Sequence, residues 1–138
     1  MSAESRVELH LPPEPIAPAL ARAGIAEVAA RLPRDVAGDL EVLATEVVAN
    51  AVKHADLGPT DEIVLRVSLD DVVRVEVTDD GPGFDRQTPA LPRDDARGWG
   101  LYLVEQLATA WGVEREGGCN RVWFHLDAQP SPSGKPAG

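Results

Sequence analysis

Five short stretches of the chain alternate apolar and polar residues, which is the pattern of strands with one buried face. Residues 73–78 show it most clearly, with valines on one side and charged or hydroxyl residues on the other. The turn signals Asp70-Asp71 and Gly117-Gly118 each separate two such stretches and predict hairpins. The predicted strands cover residues 7–11, 63–69, 73–78, 113–116 and 122–126.

Three other stretches repeat apolar residues every three or four positions, the period of an amphipathic helix. The first, 15–32, has Pro15 or Pro18 in its first turn and is weakened by Gly24. The second covers 35–55 and the third 101–111. The resulting order, βααββαββ, lacks the regular alternation of a parallel doubly wound sheet. It predicts a two-layer α+β sandwich with a mixed, mostly antiparallel sheet and the helices on one face.

Length and composition favour a single domain. With 138 residues and 43% hydrophobic content, the chain can bury one sizeable core but is short for two domains. We assign residues 1–128 to one domain and predict a disordered Pro/Ser/Gly tail over 129–138. Residues 84–97 contain two prolines and no periodicity, which predicts a surface loop or flap.

Charge and rare residue types argue against several functions. A net charge of −10 disfavours nucleic acids and anionic membranes as partners, because phosphate binding needs clustered Lys and Arg. One cysteine cannot form an intramolecular disulfide, and three widely spaced histidines do not predict a zinc site. No apolar run approaches the roughly 20 residues that span a bilayer. The sequence therefore predicts a cytoplasmic protein.

The second predicted helix carries a row of polar residues beside its apolar stripe. Glu46, Asn50 and His54 follow one another at four-residue spacing, so their side chains share one helix face. Carboxylate and amide oxygens suit a hard cation such as Mg²⁺, which also keeps waters and substrate phosphates as ligands. The alternative is that these residues only solvate the edge of the helix.

The strand over 73–78 ends in an acidic and glycine-rich turn. Asp79 is followed by Gly81 and Gly83, which have no Cβ and let the backbone approach a ligand closely. A carboxylate at the end of a buried strand can accept a hydrogen bond from an amine such as that of adenine. A plain strand-ending turn is the alternative. An acidic Mg²⁺ site for phosphoryl transfer to Asp is a third reading, which the order of elements does not support.

A second glycine motif opens the third predicted helix. Gly98 and Gly100 precede Leu101, and the N–H groups and dipole at a helix N-terminus bind phosphate. A single G-x-G is common, so the motif acquires weight only together with the other two.

Taken together, the three motifs resemble the ATPase superfamily shared by DNA gyrase, heat-shock chaperones, sensor histidine kinases and MutL repair proteins, the GHKL-type ATPases. Their order, spacing and predicted secondary structure agree with it over residues 6–127. Size and the short flap are most similar to the bacterial anti-sigma-factor serine kinases and their stand-alone ATP-binding relatives. The matching residues are Glu46-x-x-x-Asn50-Ala51-x-x-His54, Asp79-x-Gly81-x-Gly83-Phe84 and Gly98-x-Gly100-Leu101.

The resemblance implies that ATP and Mg²⁺ are the cofactors. Glu46 would be the general base, which takes a proton from a serine hydroxyl or from water. Asn50 would ligate Mg²⁺, and Asp79 would bind the adenine amine. His54 would form part of the pocket wall. Lys53 would be a solvated surface residue, with contact to a phosphate as the alternative.

The matched glycines would serve the nucleotide directly. Gly81 and Gly83 would shape the adenine pocket, and Gly98, Gly100 and Leu101 would hold the phosphates. The chain departs from the family pattern before its last strand, where a Gly-Thr pair is usual. Here Asn120 precedes Arg121 and Val122, so a hydroxyl contact to the nucleotide is missing unless Asn120 replaces it.

The resemblance implies a protein-serine kinase that binds a sigma factor and phosphorylates a small anti-anti-sigma protein. Two other functions stay open: a non-catalytic module that changes partners with its nucleotide, and a plain ATPase in which Glu46 activates water. The carboxylate at position 46 favours chemistry over binding alone. Association as a homodimer also stays open.

Overall fold

The computed structural model of the chain describes residues 5–54, 61–79, 96–116 and 119–128. Within these residues, nine elements follow in the order βαααββαββ. The strands are β1 (Ser5–Leu11), β2 (Ile63–Leu69), β3 (Val72–Asp79), β4 (Ala110–Glu116) and β5 (Cys119–Asp127). The helices are α1 (Ala17–Gly24), α2 (Ala26–Ala29), α3 (Arg34–His54) and α4 (Ala96–Leu107).

The strands form one open sheet in the order β1-β2-β3-β5-β4. Each pair of neighbours is antiparallel. The predicted α+β sandwich is confirmed, although the sheet is antiparallel at each of these pairings where we expected a mixed one. The reason is the path of the chain: β4 runs in the same direction as β3, but β5 returns between them.

One face of the sheet is apolar and buried beneath the helices. In the register of the sheet, Val67 pairs with Val75 and Val75 with Phe124, so these side chains share that face. Helix α3 contributes its own apolar stripe and contacts β2, β3 and β5 as well as α1 and α4. Its fully buried side chains include Leu40, Leu43, Ala44 and Val48.

The first predicted helix is two helices, which meet at Ile25. Ile25 is completely buried and has φ −96° and ψ 3°, outside the helical region. Gly24 ends α1 at a close approach to β1, since a Cβ there would lie 2.3 Å from Leu9 Cδ1. The glycine that weakens the helical pattern therefore makes room for the Leu9 side chain.

The predicted C-terminal end of the third helix, at residue 111, was wrong. Helix α4 ends at Leu107, and Trp111 belongs to β4, where it pairs with Phe124. Already at Thr109 the backbone N–H donates to the carbonyl of His125, at 2.9 Å. Trp111 follows Leu107 by four positions, which is also the spacing of a continued helix. The short connection between α4 and β4 therefore gave no sequence signal that the helix ends.

The hairpin predicted at Asp70-Asp71 is confirmed. It joins β2 to β3, and the Val72 N–H donates to Asp70 Oδ1 at 3.1 Å. The flap was predicted over 84–97, but its last two residues, Ala96 and Arg97, belong to α4. The rest of the flap (84–95), the turn at 117–118 and the tail over 129–138 lie outside the described residues.

Candidate functional site

Helix α3 places the first group of predicted site residues. Its apolar stripe faces the sheet, and the Glu46 and Asn50 side chains lie beside that stripe, one turn apart. Asn50 is 8% exposed. Glu46 is half-buried and Lys53 is exposed, in keeping with a solvated lysine. His54 is the last residue of the helix, and its side chain lies outside the description.

The buried side chains in the described part of the chain are apolar with three exceptions, Asn50, Asp79 and Asn120. Burying a polar group costs roughly 1–3 kcal/mol unless a hydrogen bond compensates for it. Polar groups buried in a small core are therefore expected to have polar partners. Two of them, Asn50 and Asp79, are residues that the sequence predicts to bind a ligand.

Asp79 is the last residue of β3 and lies opposite Asn120 of β5. Both side chains lie on the buried, helix-facing side of their strands. Asp79 is two positions after Val77, and Asn120 is two positions before Val122. The Asn120 Nδ2 group donates a hydrogen bond to Asp79 Oδ1 at 2.7 Å. The cross-strand partner thus holds the Asp79 carboxylate at the end of β3, on the helix-facing side of the sheet.

Asn120 lies outside the three sequence motifs, and the sequence suggested it only as a possible replacement for the missing hydroxyl contact. The signal for it is in the sequence. Alternation along β5 puts Asn120 in phase with Val122, Phe124 and Leu126, so a polar side chain had to point toward the core.

Helix α4 carries the second glycine motif. It begins at Ala96, two residues before Gly98, so Gly98 lies among the first four residues, whose N–H groups have no partner within a helix. Gly100 and Leu101 are the fifth and sixth residues of α4, where backbone N–H groups bond within the helix, because α4 begins before the glycine motif that was expected to open it. Helix α4 packs against α3 and β4. Gly81 and Gly83 lie outside the described residues.

These elements meet around α3. The helix bearing Glu46 and Asn50 contacts β3 and β5, whose ends carry Asp79 and Asn120, and it also contacts α4. The structure thus places the helix of the first motif next to the elements that carry the other two.

The donor set of this region suits magnesium. Among the described residues, no group of three or more His, Cys, Asp or Glu side chains could hold a metal ion by itself. A metal held by the Asn50 amide oxygen would take its other ligands from phosphates and water, which is how Mg²⁺ usually binds.

The opposite face of the sheet has a different character. A groove of about 550 Å³ lies on it, lined mainly by arginine, glutamate, Trp123 and His125 side chains of the strands. None of the predicted site residues lines this groove.

The helices of the described residues include no span of the length and hydrophobicity that a membrane crossing needs.

Comparison with known proteins places these observations in a family. Residues 11–126 match the family described as "Histidine kinase-like ATPase domain". The chain is 32% identical over 117 residues to the serine-protein kinase RsbW of Listeria innocua, with 74% of each chain covered.

Two solved structures share the fold. The RsbU and RsbW domains of a Mycobacterium tuberculosis protein superpose with a TM-score of 0.68 at 21% identity, over 88% of this chain and 32% of that longer one. A blue-light activated histidine kinase from Erythrobacter litoralis gives a TM-score of 0.61 at 27% identity, over 74% of this chain and 33% of the kinase. The chain has an antiparallel α+β sandwich, buried polar residues on α3 and on strands that α3 contacts, and a family match over most of its length. It belongs to the histidine kinase-like ATPase domain family.

Proposed function

We propose that this protein is a Mg²⁺-dependent protein-serine kinase that uses ATP to phosphorylate a small regulatory protein. The observation that carries the proposal is the placement of buried Asn50 and Asp79 on elements that pack together, since an amide oxygen suits the metal of Mg²⁺-ATP and a carboxylate suits its adenine amine. The similarity to serine-protein kinase RsbW supports the kinase assignment.

Each residue has a chemical task in this proposal. Asp79 accepts a hydrogen bond from the adenine amine, and Gly81 and Gly83 shape the surrounding pocket. Asn50 holds the magnesium ion, which when bound neutralises charge on the phosphates. Gly98, Gly100 and Leu101 hold the phosphates in this proposal, and of the three only Gly98 lies among the first four residues of α4, whose N–H groups have no partner within the helix.

Glu46 is the proposed general base. It lies one helical turn before Asn50 and is half-buried, so it can face a reacting hydroxyl beside the metal. It would take the proton of the serine hydroxyl as that oxygen attacks the γ-phosphorus and ADP leaves. Lys53 is exposed, and His54 keeps only its proposed place in the pocket wall.

The proposed partners are a sigma factor and an anti-anti-sigma protein that competes with it for this chain. The name of the Listeria relative supports the serine kinase part of this assignment. The sigma factor, the anti-anti-sigma protein, the cytoplasmic location and a homodimeric state are parts of the proposal that rest on the family resemblance.

Two other functions fit the same nucleotide site. A plain ATPase would use Glu46 to activate water, and a binding module would change partners with its nucleotide and catalyse nothing. Glu46 favours the two catalytic functions, because nucleotide binding alone does not need a carboxylate at that position.

The test is transfer of ³²P from γ-labelled ATP to a candidate anti-anti-sigma protein of the same organism. A kinase transfers label to one serine, and a partner with that serine changed to alanine stays unlabelled. Release of labelled phosphate without transfer would identify an ATPase. Binding of Mg²⁺-ATP with neither reaction would identify a nucleotide-dependent binding module and overturn the proposal.

A further inference from the structure

The cross-strand pair formed by Asp79 and Asn120 is more than a structural contact. We propose that Asn120 is a positioning residue for adenine recognition: it holds the Asp79 carboxylate in the orientation that accepts the exocyclic amine of the base. This inference rests on the proposed ATP site. It assigns a role to a residue at which the chain departs from the Gly-Thr pattern of its family.

The position of Asn120 supports this role. It is 3% exposed, the most deeply buried of the three buried polar side chains in the described residues. Its neighbours in phase along β5 are apolar, and Asp79, directly opposite in β3, is its cross-strand hydrogen-bond partner. The hydrogen bond between them, 2.7 Å from Nδ2 to Oδ1, is at the short end of the usual range for N–H donors.

The direction of this hydrogen bond has a chemical consequence. An ionised carboxylate only accepts hydrogen bonds, so the Asn120 amide must present its NH₂ group and not its carbonyl to Asp79. Binding at Oδ1 fixes the rotation of the carboxylate about its Cβ–Cγ bond. A carboxylate has about four acceptor positions, so the bond to Asn120 does not by itself prevent a ligand amine from binding.

A fixed carboxylate binds an amine better than a rotating one. Orientation that exists before binding does not have to be imposed by the ligand, which improves affinity without any new contact. Asn120 would therefore affect nucleotides that carry a 6-amino group and have little effect on those that lack it. A residue that served only the stability of β5 would affect both kinds of nucleotide alike.

The experiment compares Mg²⁺-ATP with purine riboside triphosphate, which lacks the 6-amino group, by calorimetric titration. Asn120→Leu keeps a similar volume and removes the donor. We expect it to weaken ATP binding by about 5- to 50-fold, the range for losing a hydrogen bond that orients a charged group. Binding of purine riboside triphosphate should change by less than about twofold, since the amine that Asp79 would bind is absent.

A double-mutant cycle gives the second measurement. In an Asp79→Ala background, Asn120→Leu should cost less than about twofold in ATP affinity, because Asn120 then has no carboxylate to position. Asn120→Thr, which keeps a donor, should retain more ATP affinity than Asn120→Leu and covers the case in which the leucine variant does not fold. The control is Leu126→Ala, a buried β5 residue about 20 Å along the strand, which should lower stability but not ATP affinity.

The outcomes separate this inference from the proposed function. If folded Asn120→Leu weakened both nucleotides equally, or if its effect persisted in the Asp79→Ala background, the positioning role would be wrong while the ATP site stood. If wild type did not bind ATP, the proposed function and this inference would both be wrong.

Discussion

Strand β5 has two faces that contribute to the molecule in different ways. The inward face holds Val122, Phe124 and Leu126 in the core, and its one polar residue, Asn120, is hydrogen-bonded to Asp79. The outward face alternates with it and carries Arg121, Trp123 and His125, all of them partly exposed.

The outward face is organised by ion pairs that cross the sheet. Arg121 pairs with Glu76 and Glu114, and Arg66 pairs with Glu8 at 3.1 Å and with Glu76 at 3.6 Å. These side chains are between about a quarter and a half exposed, so water screens the attraction between them.

Trp123 packs over a glycine on the same outward face. A Cβ on Gly112, its partner in β4, would lie 2.7 Å from the indole nitrogen. The outward face thus combines close packing at one point with solvated ion pairs elsewhere. The comparison of the two faces teaches that the apolar core and the proposed chemistry belong to the helix-facing side, while the outward face carries solvated ion pairs.

The largest effect on activity should come from the helix-facing layer. We expect Glu46→Gln to lower phosphate turnover by roughly 10²- to 10⁴-fold, the usual contribution of a general base. Affinity for Mg²⁺-ATP should stay within about threefold, because the change is nearly isosteric and Glu46 is not the proposed metal ligand. The measurements are transfer of ³²P and calorimetric titration.

Two variants of α3 serve as controls for this prediction. Glu41→Gln changes another partly buried carboxylate of the same helix, outside the motif, and should leave turnover unchanged. Asn50→Ala should weaken Mg²⁺-dependent ATP binding without unfolding the protein. Loss of nucleotide binding together with turnover in Glu46→Gln would make Glu46 a ligand or a structural residue.

The largest effect on stability should come from the inward face of β5. Phe124 is completely buried, and Phe124→Ala should lower the free energy of unfolding by about 3–5 kcal/mol. Urea denaturation measures this change. Trp123→Ala on the outward face is the matched control and should cost less, since that side chain is only partly buried. Equal losses would show that both faces contribute alike.

Much of the fold could be predicted from the sequence because its elements are strongly periodic. The valine-rich alternation of residues 73–78 and the apolar stripe of α3 each had one interpretation, and the structure places both as predicted. The break at Ile25 and the position of Trp111 in β4 could not be predicted, because both depend on contacts with residues distant in sequence. Gly24 lies against Leu9 of β1, and Trp111 lies opposite Phe124 of β5.

The site was predictable to a similar extent. The spacing of Glu46 and Asn50 on one helix follows from the helical period alone. That Asp79 is buried follows from alternation along β3. The partnership of Asp79 with Asn120 depends on the register between two strands, and the two residues are 41 positions apart in the chain. A local pattern does not contain that register.

A substitution at Asp79, on the helix-facing side of β3, tests whether ATP binding depends on that face of the strand. Asp79→Ala removes the proposed hydrogen bond to adenine and should cost roughly 1–3 kcal/mol of binding, or about 5- to 150-fold in ATP affinity. GTP should bind much more weakly than ATP to wild type, because its C6 carbonyl would face the carboxylate. Calorimetric titration measures both.

The matched control is Glu76→Ala, which changes a carboxylate on the outward face of the same strand. It should leave ATP affinity unchanged. Equal affinity of wild type for ATP and GTP would refute the adenine assignment of Asp79.

Breaking the outward ion pairs should have a small effect. Arg121→Ala removes the pairs with Glu76 and Glu114, and the pKa of Arg121 is raised above its ordinary value chiefly by its hydrogen bond to Glu76. Because the side chain is 37% exposed, we expect a loss of about 0–1 kcal/mol in the free energy of unfolding, further reduced by salt. Urea denaturation at low and high salt measures it. A loss comparable to that of Phe124→Ala would overturn the comparison of the two faces.

The smallest effect concerns pH and two histidines with opposite shifts. Hydrogen bonds to Glu62 and then Glu8, both 2.9 Å, raise the pKa of His10 above its ordinary 6.5. Its stabilising contribution is therefore present below pH 6.5 and is lost as pH rises through the higher folded-state pKa.

Burial, with a smaller contribution from Arg74, lowers the pKa of His125, so protonating His125 below pH 6.5 opposes folding. The difference in thermal stability between wild type and His10→Gln should be larger at about pH 5.5 than at about pH 8.5, whereas His125→Asn should gain relative to wild type at the lower pH. Melting curves at the two pH values measure both differences, and a His10→Gln difference that did not shrink on raising the pH would mean that His10 acts through packing and not through its charge.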